Sequence, residues 1–109
     1  MAATFLLAWV GTDLVGRTSV RHELDERLLR VGGHIGYGVL PDRRGRGYAA
    51  EMLRQGLVVA RSEGVIAVLV DCDEGNAASA RTIERWGGVL DTVVENPDGG
   101  PAKRRYWIR

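Results

Sequence analysis

The chain has 109 residues, 45% of them hydrophobic and 27% charged, with a formal net charge of +1. That length fits a single domain, residues 1–109, around one core, and the near-neutral balance argues against nucleic acid or an anionic membrane as a partner. One cysteine, Cys72, excludes an intrachain disulfide and suits a reducing cytoplasm; no Cys/His cluster has metal-ligand spacing, and no apolar run reaches the roughly 18–20 residues that span a bilayer.

Met1 to Val10 is apolar but lacks the basic start and cleavage site of a signal peptide, so it reads as a strand. Thr4–Val10 and Leu14–His22, joined by the turn residues Gly11-Thr12-Asp13, form a predicted hairpin. Glu23–Arg30 is charged. Leu24 and Leu28 lie four apart, which fits a short helical turn, and a loop fits equally well. In Val31–Leu40 the residues Ile35, Tyr37 and Val39 alternate with His34, Gly36 and Gly38, giving a strand with one almost bare face. Pro41 ends it, and Asp42–Gly47 is a polar loop. From Tyr48 the period becomes helical: Ala49, Leu53, Leu57 and Ala60 share a face, and Gly64 is the stop. Val65–Val70 is continuously apolar and reads as a buried strand. Asp71–Gly75 is a polar connection, Asn76 an N-cap for a helix over Ala77–Trp86, and Gly87-Gly88 its end. Val89–Glu95 and Ala102–Ile108 flank the turn cluster Asn96–Pro101 and read as a hairpin. The order β-β-β-α-β-α-β-β predicts an α/β (mixed α+β) fold: a mixed sheet with a central parallel pair joined by a right-handed crossover helix.

The loop before the first long helix carries the most chemistry. Gly45 and Gly47 let backbone N–H groups converge on one point. The first N–H groups of a helix have no intrahelical partner and bear partial positive charge. Arg43, Arg44 and Arg46 add full charges. Together these favour a phosphate or pyrophosphate; a solvated basic loop is the plain alternative. The loop lacks the Lys-Ser/Thr of a Walker motif and the G-x-G-x-x-G of a dinucleotide fold.

Arg44-Gly45-Arg46-Gly47-Tyr48-Ala49 resembles the Arg/Gln-x-x-Gly-x-Gly/Ala motif of the GNAT N-acetyltransferase superfamily. Gly33 to Pro41 precedes it as that family's central strand does. Asp73-Glu74-Gly75-Asn76-Ala77-Ala78-Ser79, with Glu84 and Gly87-Gly88, resembles its Asn-x-x-Ser…Glu-x-x-Gly helix. The resemblance covers roughly residues 4–108. It implies acetyl-CoA as cosubstrate, no metal, and a primary amine, on a small molecule or a protein, as acceptor. It also implies a gap between the strand ending at Leu40 and the Val65–Val70 strand. There Val39 and Leu40 would hydrogen-bond the pantetheine arm through their backbones, and the N–H groups from Gly45 to Ala49, with Arg44 and Arg46, would hold the pyrophosphate. Asn76 and Ser79 would meet the arm from the other side, and Asn76 equally caps its helix.

Transfer by direct attack needs a base for the amine, a donor for the thioester oxygen and an acid for the thiolate. Many members of the family place a tyrosine seven residues after the asparagine; here that residue is Ile83. Tyr37, Tyr106 or a water are the substitutes, and a backbone N–H near Val39 is the oxyanion donor. His34 is the first candidate base, because imidazole titrates near neutral pH; a satisfied polar residue on a strand is the plain alternative. Glu23 and Glu26 read as a solvated turn. Cys72 has nothing to lower its pKa, so no covalent role is expected. Trp86 reads as packing on the inner side of its helix, and Lys103-Arg104-Arg105 as a solvated edge strand. Relative to the family, the chain starts at the second strand. A short member would leave apolar surface uncovered, so a homodimer is expected. The alternative function is a non-catalytic acyl-CoA-binding module.

Overall fold

The computed structural model describes residues 3–109; Met1 and Ala2, part of the apolar start, lie outside them. The elements are β1 (Ala3–Val10), β2 (Asp13–Arg21), α1 (Glu26–Arg30), β3 (Ile35–Val39), a 3-10 turn (Pro41–Arg43), α2 (Tyr48–Ser62), β4 (Val68–Asp73), α3 (Ala77–Arg85), β5 (Val89–Val94) and β6 (Lys103–Ile108). One six-stranded sheet runs in the order β1-β2-β3-β4-β6-β5, with β3 and β4 parallel and every other neighbour antiparallel.

Helix α2 forms because its apolar residues repeat at helical spacing. Met52, Leu53, Gly56, Leu57 and Ala60 are buried, and full burial of a side chain such as Leu53 contributes about 2–3 kcal/mol. Gly56 lies against Ile35 and Thr18, which draws the helix close to β2 and β3. Helices α2 and α3 cover the same side of the sheet. Val20, Ile35, Val68, Val70, Cys72 and Tyr106 face them in the core, and Ile83 of α3 closes it. The other side carries Arg17, Ser19, Arg21, Gly36, Asp71 and Asp73, alternating with those core residues along their strands.

Several boundaries differ from the sequence expectation, each for a local reason. The β4 strand begins at Val68 because Val65 N–H closes the end of α2 on Ala60 O, and it runs on to Asp73 because β6 pairs with it that far. Residues 26–30 are helical because Asp25 caps them, its Oδ1 accepting from Leu28 N–H at 2.8 Å. Strand β6 is interior, between β4 and β5. Its basic run is therefore not a solvated edge: Lys103 pairs with Asp73 at 2.6 Å and Arg105 with Asp91 at 2.9 Å. Trp86 does not fill the inner side of α3. It is 36% exposed and ties the end of α3 to the start of α2, its Nε1–H donating to Ala50 O.

Candidate active site

The parallel pair β3 and β4 shares one registered couple, Ile35 with Val70. Beyond it the strands part. Leu40 N–H donates to Val15 O on the β2 side, and strand residues alternate in the edge to which their amides point. The amides of Tyr37 and Val39 therefore face the gap. Val39 O accepts from Arg44 Nε at 3.1 Å, leaving Val39 N–H toward the gap. Leu40, expected to meet the arm, does not face the gap: its N–H donates to Val15 O and its carbonyl accepts from Arg43 N–H at 2.9 Å.

The loop after β3 arrives beside this gap. Gly45 and Gly47 have φ of 78° and 83°, a conformation that favours glycine, and no atom would meet a Cβ at either. Gly47 is the N-cap of α2 without a side-chain cap, and the first helical bond runs from Glu51 N–H to Gly47 O. No backbone carbonyl or side chain of the described residues accepts from the N–H groups of Tyr48, Ala49 and Ala50. Arg46 is exposed, and Arg44 is held over the end of β3. Arg43 turns away to Asp13 at 3.0 Å. The arrangement fits a pyrophosphate: open N–H donors, no Cβ obstruction, and cations beside them.

A cleft of about 270 Å³ passes through the gap. On the helical side it is lined by Ile35, Tyr37, Cys72, Asn76 and Ser79; on the other side by Arg21, Gly32, Gly36, Asp71, Asp73 and Lys103. Asn76 Oδ1 accepts from Ser79 N–H at 3.1 Å, so it caps α3, and no described residue engages its Nδ2. The Tyr37 hydroxyl lies 2.9 Å from Ser79 Oγ. Burial pushes the Tyr37 phenol up; the Ser79 bond opposes this in part and neighbouring Cys72 adds to it. Burial likewise pushes the Cys72 thiol up, so both remain protonated at neutral pH. Asp71 accepts from Gly32 N–H through one carboxylate oxygen.

Two candidates do not join this group. His34 is buried at the other, closed end of the pair, where its Nδ1 accepts from Leu69 N–H at 2.9 Å. Its proton therefore sits on Nε2 in the neutral form, and burial holds its pKa below the usual value. A ring whose lone pair is engaged in this way suits structure rather than proton abstraction. Tyr106 has no exposed surface; its hydroxyl donates to Glu84 Oε2 and accepts from Arg104 Nε, both at 3.0 Å. Ile83, at the family's tyrosine position, is also fully buried. Sequence reasoning missed Asp71 and Arg21. Both look like ordinary strand-end charges until the register places them at one mouth. A larger hollow of about 330 Å³ lies between β1 and α2. Its one carboxylate, Glu51, is bonded to Arg54 and Gln55, which hold its pKa at about 2.

A mixed sheet parted between two parallel strands, with an uncapped helix start at the mouth, defines a class of α/β domain built to take a long phosphorylated arm. The chain belongs to the GNAT acetyltransferase family: the family model described as "Acetyltransferase (GNAT) domain" matches residues 2–89. No protein of curated function matches it in sequence. Among solved structures it is similar in fold to yncA of Salmonella typhimurium, solved with acetyl-CoA (TM-score 0.78, 15% identity, covering 96% of this chain and 63% of that one). It is also similar to a ribosomal-protein-alanine N-acetyltransferase from Brucella melitensis (TM-score 0.75, 18% identity, 94% and 66%). A third is a variant of the spermidine N-acetyltransferase SpeG from Vibrio cholerae (TM-score 0.78, 15% identity, 98% and 65%). The chain spans just under two thirds of the length of these three proteins. Among the described residues no helix is long and apolar enough to cross a membrane, and no group of three or more His, Cys, Asp or Glu could hold a metal ion.

Proposed function

We propose that the chain is an acetyl-CoA-dependent N-acetyltransferase that transfers the acetyl group directly to a primary amine. The observation that carries this reading is the unpaired gap between β3 and β4 opening beside the uncapped start of α2. The N–H groups from Gly45 to Ala49, with Arg44 and Arg46, would hold the pyrophosphate. The free amide edge of Tyr37 and Asn76 Nδ2 would bond the pantetheine amides, which leaves Val39 N–H for the thioester oxygen. Asp71 accepts a proton from the acceptor ammonium, directly or through water, and releases it to solvent. The neutral amine attacks the thioester carbonyl, a C–N bond forms, and Val39 N–H receives the negative charge on oxygen. The C–S bond breaks, and the thiolate takes a proton from Tyr37. Ser79, bonded to Tyr37, orients that phenol, and the proton lost by nitrogen restores it through solvent. The products are the N-acetylated amine, free CoA and one proton.

Calorimetric titration of acetyl-CoA into the protein and into an Arg46→Glu/Gly47→Glu double variant tests the cradle. Binding in the wild type and its loss in the folded variant are expected; a folded wild type that does not bind sinks the proposal. Thiol release with an amine panel then separates an enzyme from a binding module.

A homodimer and a cytoplasmic site of action complete the reading. The single thiol fits a reducing compartment. Strand β1 is an uncharged sheet edge, and Phe5, Leu7 and Trp9 are 76%, 60% and 57% exposed on it. An uncharged edge invites pairing. Three such side chains on each of two copies cover several hundred Å², most of the roughly 1,000 Å² a stable interface needs. Light scattering is expected to give twice the chain mass; a monomer mass rules the dimer out.

A further inference from the structure

We infer that the acceptor carries a carboxylate next to its amine, as a free α-amino acid does; this rests on the transferase reading above. The mouth of the cleft on the side away from α2 and α3 holds four charged side chains. Lys103 and Asp73 neutralise each other at 2.6 Å. The remaining two, Arg21 and Asp71, have no ion-pair partner among the described residues, and they do not pair with each other. Both are held by the same short turn. Arg21 Nη1 donates to Gly32 O and Gly33 O at 3.4 Å, and Asp71 accepts from Gly32 N–H. A guanidinium and a carboxylate are thus fixed to one residue, side by side, beyond direct pairing distance.

The floor between them admits a small molecule. Gly36 has no side chain there, and a Cβ would press on Ser19 and Arg21; next to it, Gly38 is open to space. Arg21 comes from β2 and Asp71 from β4, so the two charges flank the gap that the thioester would enter. An amine bound at Asp71 lies at the mouth of that gap. A carboxylate on the same molecule then falls toward Arg21, whose planar N–H fork suits it. An acceptor bearing only positive charge would meet the guanidinium unshielded, and like-charge contact of this kind is how a site rejects a wrong partner. The pairing therefore selects amino acids over polyamines.

The test is acetyl-CoA turnover, followed by thiol release, with the common L-amino acids, their carboxamides and spermidine. Each carboxamide keeps the amine and side chain and loses only the carboxylate. At least one amino acid is expected to exceed its carboxamide about 10-fold in kcat/KM, with the difference in KM, the size of one charge-assisted hydrogen-bonded contact. Arg21→Gln should erase that preference by raising KM for the acid toward that of its carboxamide, and Arg21→Lys should restore part of it. Acetyl-CoA affinity, measured by calorimetry, should be the same in both variants, as it would not be if Arg21 merely held the fold. Equal use of acids and carboxamides, or turnover of spermidine alone, overturns the inference and leaves the transferase standing. Failure of acetyl-CoA to bind the folded wild type removes both.

Discussion

The two ends of the β3–β4 pair have opposite hydrogen-bond accounts. At the closed end His34 N–H donates to Leu69 O at 2.8 Å, and Leu69 N–H returns to His34 Nδ1 at 2.9 Å. An imidazole nitrogen takes the place of a backbone carbonyl there, and Ile35 and Val70 follow in register. A few residues on, Tyr37 comes level with Cys72 and Val39 with Glu74, with no ladder between them. Each forgone ladder bond costs about 1 kcal/mol. The parted end persists because the closed end is tightly fastened, because β4 is fully paired with β6 on its other edge, and because the cleft admits water or a ligand's amides. One pair of strands thus supplies both the rigid anchor and the open slot.

The largest effect should come from breaking the closed end. Gly33 has φ of 63°, and a Cβ there would overlap the Leu69 carbonyl. Gly33→Val combines backbone strain with a clash and is expected to cost about 4 kcal/mol, read from the urea midpoint. Stability within 1 kcal/mol of wild type would mean that the closed end is not the anchor. At the open end Tyr37→Phe removes the proposed acid without disturbing packing. It should lower kcat about 100-fold with little change in KM. Because burial raises the Tyr37 pKa, wild-type kcat should hold level to about pH 10 before the phenol ionises. The phenylalanine variant should lack that alkaline fall. An unchanged kcat would pass the acid role to water.

How legible these two ends were in sequence differs in the same way. The glycine turn and the uncapped helix start were readable because they are local: Gly45, Gly47 and the helix start at Tyr48 lie within four residues. The Asn76 cap and the alternation of Ile35, Tyr37 and Val39 were local too. The roles of His34, Asp71 and Arg21 were not. His34 serves Leu69, 35 residues away, and Asp71 serves Gly32, 39 residues away. Lys103–Arg105 read as an edge because nothing in a basic run reveals that two strands flank it. Register between distant strands decides which charges share a mouth, and register is a property of the folded sheet.

His34 gives the next prediction, smaller than the first two. As a structural acceptor it must be neutral. Its folded pKa is depressed by burial, so the unfolded chain binds the proton more tightly. By linkage its stabilisation is fully present above the unfolded value of about 6.5 and is lost as pH falls below it toward the folded value. His34→Ala should cost about 2 kcal/mol at pH 7.5, from the unpaired Leu69 N–H and the space left behind. The gap from wild type should narrow at pH 5.5, while kcat per folded molecule stays within about two-fold. A kcat loss of 100-fold with stability intact would instead make His34 the base.

The smallest effect separates packing from chemistry inside the slot. Cys72 lies beside Tyr37 and Ser79, where a nucleophilic thiol would be conspicuous. It is only 6% exposed, and burial raises its pKa, with nearby Arg104 offsetting this in part. The thiol is therefore protonated at neutral pH and acts as a small apolar group on the core side of β4. Cys72→Ala should cost about 1 kcal/mol of stability and leave turnover within about two-fold. Alkylation of the wild type by iodoacetamide should be slow at pH 7.5, rise with pH, and slow again when acetyl-CoA fills the slot, because reaction needs the thiolate and access to it. Loss of turnover in the alanine variant, with acetyl-CoA still bound, would mean that Cys72 takes the acetyl group, and direct attack by the amine would no longer describe the reaction.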